Sequence, residues 1–214
     1  DKVITSWNSL AIGALAYAGQ KLERPDYRAA ARRAAEFLLG LAGQPGGLPR
    51  AWRRGIPSGP AFLEDYAALA NALFDLYETG DETRWRDAAV PMTRRMVETF
   101  YDSDRGYFRS TQSAHGPQLA DLCDVFDQAL PSPSSLALSA VRRAVLAGAP
   151  DLLPVGSAAN AALIPRIARA PGGCCALLQA LRKAPRPEGG YGSKHSDGCT
   201  PEGCRVGQES GETP

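Results

Sequence analysis

One apolar pattern occurs three times along this chain, and its period constrains the fold more than any other feature. Trp7, Leu10, Ala11, Ala14, Leu15 and Ala18 fall at i, i+3, i+4, i+7, i+8 and i+11, which is one stripe of an amphipathic helix. Tyr66, Leu69, Ala70, Leu73, Phe74 and Tyr77 repeat that stripe 59 positions on, and Leu136, Ala137, Ala140, Val141 and Ala144 repeat most of it at a shift of 126. A second stripe, Tyr27, Ala30, Ala31, Ala34 and Leu38, returns 58 positions later as Trp85, Ala88, Ala89, Met92 and Met96. The unit is therefore a pair of helices, repeated about every 60 residues. Such pairs cannot bury their own apolar faces and build solenoids or closed α/α rings. The expected fold class is all-α.

Local chemistry sets the expected ends. Ser6, Asp65 and Ser132 occupy equivalent places before the three first helices and read as N-caps. Gly19 reads as a stop, and Pro25 suits a first helical turn. Pro91 is expected to kink the helix that contains it. Residues 48–61, with Gly, Pro and Trp52, read as a loop or short irregular hairpin, and YDSDRGYF at 101–108 as a turn with a small hairpin. Residues 158–170 and 174–183 read as two further helices. Residues 185–214 hold 7 Gly and 4 Pro in 30 positions, with no Leu, Ile, Phe or Trp. Such a segment cannot offset its ordering entropy by burial, so the expected division is a helical domain, 1–184, and a disordered tail, 185–214.

Composition excludes several classes of function. Lys and Arg number 24 against 23 Asp and Glu, a formal charge of +1, which argues against a nucleic-acid binder or an anionic-membrane binder. No run of about 18 apolar residues exists to span a bilayer. The five cysteines, Cys123, Cys174, Cys175, Cys199 and Cys204, are odd in number, and nothing in the sequence resembles a signal peptide. Reduced thiols and a cytoplasmic location are expected. His195, Cys199 and Cys204 match no standard zinc spacing. No Walker loop, dinucleotide fingerprint, H-E-x-x-H or G-x-S-x-G occurs, so no cofactor or metal is expected.

Three ordered blocks carry a family resemblance. DKVITSWNSLAIGALA resembles the D-K-x-L-T-S-W-N-G-L segment of the YyaL-like proteins, also called spermatogenesis-associated or thioredoxin-domain-containing proteins. FLEDYAALANALFDLYETGDETRW is similar to their F-L-D-D-Y-A block and the L-Y-x-x-T-G-D-x-x-W connection after it. DVFDQALPSPSSLAL resembles their D-x-x-x-P-S-G-N-S block. Ser9 stands where that family has Gly, and Pro133 and Ser134 stand where Gly and Asn are common. The resemblance covers about residues 1–150. It implies part of an (α/α)6 toroid, similar to N-acylglucosamine 2-epimerase and the six-hairpin glycosidases, with a thioredoxin-like domain expected upstream. The start at Asp1 and this partial coverage make the chain, on this reading, a C-terminal piece of such a protein.

In that setting the starts of the inner helices surround the site. The expected catalytic carboxylates are Glu64, Asp65 and Asp127, because glycoside chemistry uses two carboxyl groups across one bond. The expected ligand-binding residues are Asp1, Lys2, Trp7, Asn8, Trp52, Tyr66, Asp124 and Ser132. Trp52 lies among Arg50, Arg53 and Arg54, which read first as a solvated basic loop and otherwise as a site for an acidic or phosphorylated group. His115 is a weaker candidate base. The implied ligand is a carbohydrate and the implied activity epimerase- or glycosidase-like. The alternatives are a non-catalytic scaffold or binding module, and a truncated gene product.

Overall fold

Helix pairs dominate the computed structural model, which describes residues 2–80, 82–111 and 123–182 and the strand residues 199–200 and 203–204. Helices α1 (Thr5–Lys21) and α2 (Pro25–Ala42) form the first pair, and α3 (Leu63–Glu78) and α4 (Thr83–Phe100) the second. The third is α5 (Pro133–Leu146) with α6 (Leu153–Arg169), followed by α7 (Cys175–Arg182). Between α2 and α3 the chain makes the antiparallel strands β2 (Pro49–Arg53) and β3 (Ile56–Pro60), and β1 (Val3–Ile4) pairs on the other side of β2. A smaller hairpin, β4 (Tyr101–Asp102) and β5 (Tyr107–Phe108), follows α4. Two compact units, 1–184 and 185–214, divide the chain. In the second, β6 (Cys199–Thr200) pairs with β7 (Gly203–Cys204). The expected tail disorder, His115 and His195 otherwise fall outside the described residues.

The odd-numbered helices α1, α3 and α5 run parallel, side by side. Contacts from start to end fix this. Ser6 meets Asp65 near the starts of α1 and α3, and Tyr17 meets Glu78 near their ends. Asn71 and Glu78 of α3 meet Ser139 and Arg143 of α5. Helix α3 is the centre of the stack, buried at Leu63, at every position from Asp65 to Phe74, and at Leu76. Its partner α4 covers it through Trp85, Ala89, Met96 and Phe100, and continues unbroken through Pro91. An apolar helix face packed this completely supplies most of the stability of a bundle.

The first stripe lies on a different face from the one expected. Helix α1 buries Thr5, Ser6, Ser9, Ile12, Gly13, Ala16 and Gly19, whereas Trp7 is 58% exposed and Ala11 and Ala14 face solvent. Apart from Ile12, the buried face is made of small residues because α1 and α3 approach closely, and two of its hydroxyls donate to backbone carbonyls. Thr5 donates to the Pro49 carbonyl (2.6 Å) and Ser9 to the Thr5 carbonyl (2.8 Å). Two end signals are corrected as well. Ile4, not Ser6, is the N-cap of α1, and the helix passes through Gly19 to Lys21. Phe62, not Asp65, is the N-cap of α3, which places Asp65 in its first turn. Ser132 does cap α5, its hydroxyl accepting from the Ser135 N–H at 3.3 Å.

A second polar cluster ties the other ends of the three helices. The Arg143 guanidinium contacts Asp75 (2.7 Å) and Glu78 (2.9 Å) and donates to the Asn71 carbonyl (3.0 Å). Burial pushes the Asp75 carboxyl up, with Arg143 opposing. Burial, with the charges of Asp75 and Glu78, pushes the Tyr17 phenol up to about 12.

Gly13 lies against this cluster, and an added methyl there would overlap the Asp75 carboxylate. Gly13→Ala is expected to destabilise the protein by about 1–3 kcal/mol through overpacking, although alanine is the better helix former. Gly40, on the exposed side of α2, has nothing within 4 Å of a Cβ. Gly40→Ala is therefore expected to stabilise by about 0.5–1 kcal/mol. Urea unfolding of the two variants checks both signs.

Candidate functional site

Parallel helices that begin at one level bring unpaired backbone N–H groups and positive dipole ends together. Here two carboxylates answer them. Asp65, fully buried, accepts from the Phe62 N–H (2.9 Å) at the start of its own helix and from the Ser6 N–H (3.0 Å) at the start of α1. Asp127 repeats the device. It accepts from the N–H of Ser132 (2.9 Å), the cap of α5, and from the Ala176 N–H (2.8 Å) at the start of α7. Each carboxylate thus joins the start of one helix to the start of its neighbour.

Arg50 completes the first of these sites from outside the helices. Strand β2 carries it, and its Nη1 donates to Asp65 at 2.9 Å, pairs with Glu64, and lies 3.4 Å from the Ser6 hydroxyl. Its guanidinium also sits over the Phe62 ring, 5.1 Å from the centroid. Burial pushes the Asp65 carboxyl upward, and the Phe62 N–H and Arg50 pull it back only in part. Burial alone would lower the Arg50 pKa, but the Asp65 and Glu64 charges raise it overall.

A cleft of about 420 Å³ opens beside this cluster. Glu64 and Asp124 both line it, along with Arg50 and Phe62. Ser110, Thr111, Cys123 and Pro133 complete the wall. Asp124 is held by the Phe126 N–H on one carboxylate oxygen (3.2 Å), while its carbonyl accepts from Ser134 (3.3 Å) at the start of α5. Burial pushes the Cys123 thiol up, which disfavours the thiolate.

The other expected site residues lie apart from this cleft. Asp1 falls outside the described residues, and Lys2 is exposed. Asn8 donates to the Ile4 carbonyl (2.8 Å) and lines a separate 350 Å³ cavity with Phe37 and Arg33. Trp52 packs edge-on to Phe37 at 5.3 Å. Tyr66 is buried against Phe100 and borders a 630 Å³ cavity beside Pro91 and Met92. Trp7 stands on the open face of α1. Ser132 is buried and engaged as a cap. Sequence reasoning missed the bridging role of Arg50. The usable signal was its position in a predicted hairpin just before a first turn with two acidic residues.

Among the described residues, no group of three or more His, Cys, Asp or Glu could hold a metal ion. Likewise, no described helix is long and apolar enough to cross a membrane.

No family model matches the chain. It is similar to spermatogenesis-associated protein 20 of Rattus norvegicus, 31% identical over 147 residues, and of Homo sapiens, 30% identical over 150 residues. An uncharacterised protein of Caenorhabditis elegans is 32% identical over 145 residues. Each match covers 64% of this chain, and the chain spans about a fifth of the length of these relatives.

The ion-pair cluster makes a pH-dependent prediction. Because the folded-state pKa of Asp65 is raised above 3.8, its ionisation opposes folding as pH rises above that value, and Arg50 offsets part of the cost. Removing Arg50 raises that pKa further. The destabilisation by Arg50→Met is expected to be small at pH 3.5 and to grow by about 1–2 kcal/mol by pH 7. Denaturant unfolding at the two pH values measures it, and a pH-independent loss would contradict the assignment.

Proposed function

We propose that residues 1–184 are a carbohydrate-binding part of a spermatogenesis-associated protein 20-like protein, built as a segment of an (α/α) toroid. The observation that carries this reading is the shared placement of Glu64 and Asp124 on one cleft at the starts of α3 and α5. Two carboxylates, a hydroxyl and an aromatic ring in one cleft are the groups that recognise sugars, and acid/base work on a sugar needs carboxyl groups from separate elements. Of the carboxylates expected to be catalytic, Glu64 faces the cleft and takes the acid/base role. Asp65 and Asp127 form its frame, since each already accepts two N–H groups from helix starts. Asp124 then supplies the second carboxyl group.

That employment of Asp65 and Asp127 also favours a second reading, a binding module without turnover. On either reading the protein works beside a thioredoxin-like domain, as the family resemblance implies.

A thermal-shift panel of mono- and disaccharides tests the binding reading, with a rise in melting temperature expected for at least one sugar. Glu64→Gln is expected to abolish that rise while leaving the melting temperature of the unliganded protein within about 2 °C. A panel with no shift would overturn it. Turnover of a shifting sugar, lost in Glu64→Gln, separates enzyme from binding module.

A further inference from the structure

Electrostatics narrow the ligand of this cleft further. Arg50 is the cation among its described lining residues, and it is already paired. One terminal nitrogen serves both Glu64 and Asp65, and the guanidinium face rests on Phe62. Facing it are Glu64 and Asp124, with Asp65 directly behind. One positive charge against two lining carboxylates leaves the wall acidic whatever the state of Asp65. Arg166, whose charge acts on Cys123, is stacked over the Tyr107 ring at 5.2 Å.

A phosphate group would meet this wall with about two negative charges of its own. The single Arg50 charge, shared already with Glu64 and the fully buried Asp65, does not outweigh the two lining carboxylates that a phosphate would face. An ammonium group meets the opposite situation, since it brings three donors to a wall that carries the carboxylates of Glu64 and Asp124. The Phe62 and Pro133 surfaces beside them suit a small ring better than a bare ion.

We infer that the cleft selects ligands bearing an ammonium group, such as an amino sugar, over neutral sugars and excludes phosphorylated ones. This rests on the carbohydrate reading of the same cleft, but its charge preference can fail independently.

Calorimetric titration of the full chain with glucosamine, glucose, glucose 6-phosphate and ethanolamine tests it. Glucosamine is expected to bind about tenfold tighter than glucose, with glucose 6-phosphate weakest. The preference should shrink with added salt. Glu64→Gln and Asp124→Asn, each checked for an unchanged circular dichroism spectrum, should each reduce it severalfold. Equal affinity for glucose and glucosamine, or tighter binding of glucose 6-phosphate, overturns the charge inference and leaves the carbohydrate reading standing. Binding of ethanolamine without any sugar, lost in Glu64→Gln, overturns the carbohydrate reading and keeps the charge inference. Absence of all four removes both.

Discussion

The whole arrangement depends on bringing the positive ends of several parallel helices to one level. Unanswered, those ends would leave buried N–H donors and like-signed dipoles side by side. Asp65 resolves the problem for α1 and α3 with one carboxylate, and Asp127 does so for α5 and α7. Burying a charge for this purpose is costly, and Arg50 keeps the first site tolerable. Scaffold and candidate site are thus made of the same atoms. Glu64, one residue from Asp65, faces the cleft because its neighbour faces the helix starts.

Much of the fold was legible in the sequence, and the reason is periodicity. The helix pairs, the start of α2 at Pro25, the cap at Ser132 and the small hairpin at 101–108 all follow from local chemistry that each segment carries by itself. What failed was the assignment of faces. The stripe through Trp7, Ala11 and Ala14 is genuine, but apolar periodicity records that a face seeks cover, not which neighbour covers it. The face α1 turns toward α3 is marked by smallness, in Ser6, Ser9, Gly13 and Ala16, and polar small residues do not register as a core signal.

The candidate site was legible in its location and less so in its roles. Acidic residues before repeated helices marked the end where the helix starts meet and the cleft opens. Asp65 was read as a cap for its own helix, yet it also serves α1, 59 residues away. Arg50 lies in a segment that has no repeat partner, so the comparison of repeats that revealed Glu64 and Asp124 passed over it. Trp52 and Tyr66 drew attention as aromatic residues and turned out to pack against Phe37 and Phe100. Aromatic residues mark surfaces worth burying, and most such surfaces are internal.

The β2–β3 hairpin has a consequence for how such a protein can diverge. Connections between helices ordinarily tolerate insertion and deletion, because little depends on them. This one carries Arg50, which holds Asp65 and walls the cleft, while Val3 and Ile4 pair with Trp52 and Ala51 on the strand beside it. A change in hairpin length would unseat the junction of two helices and reshape the cleft in the same step. Variation that alters the cleft and spares the junction is therefore confined to side chains on a hairpin of fixed length, whereas the linker between α1 and α2 contributes nothing to the cleft wall.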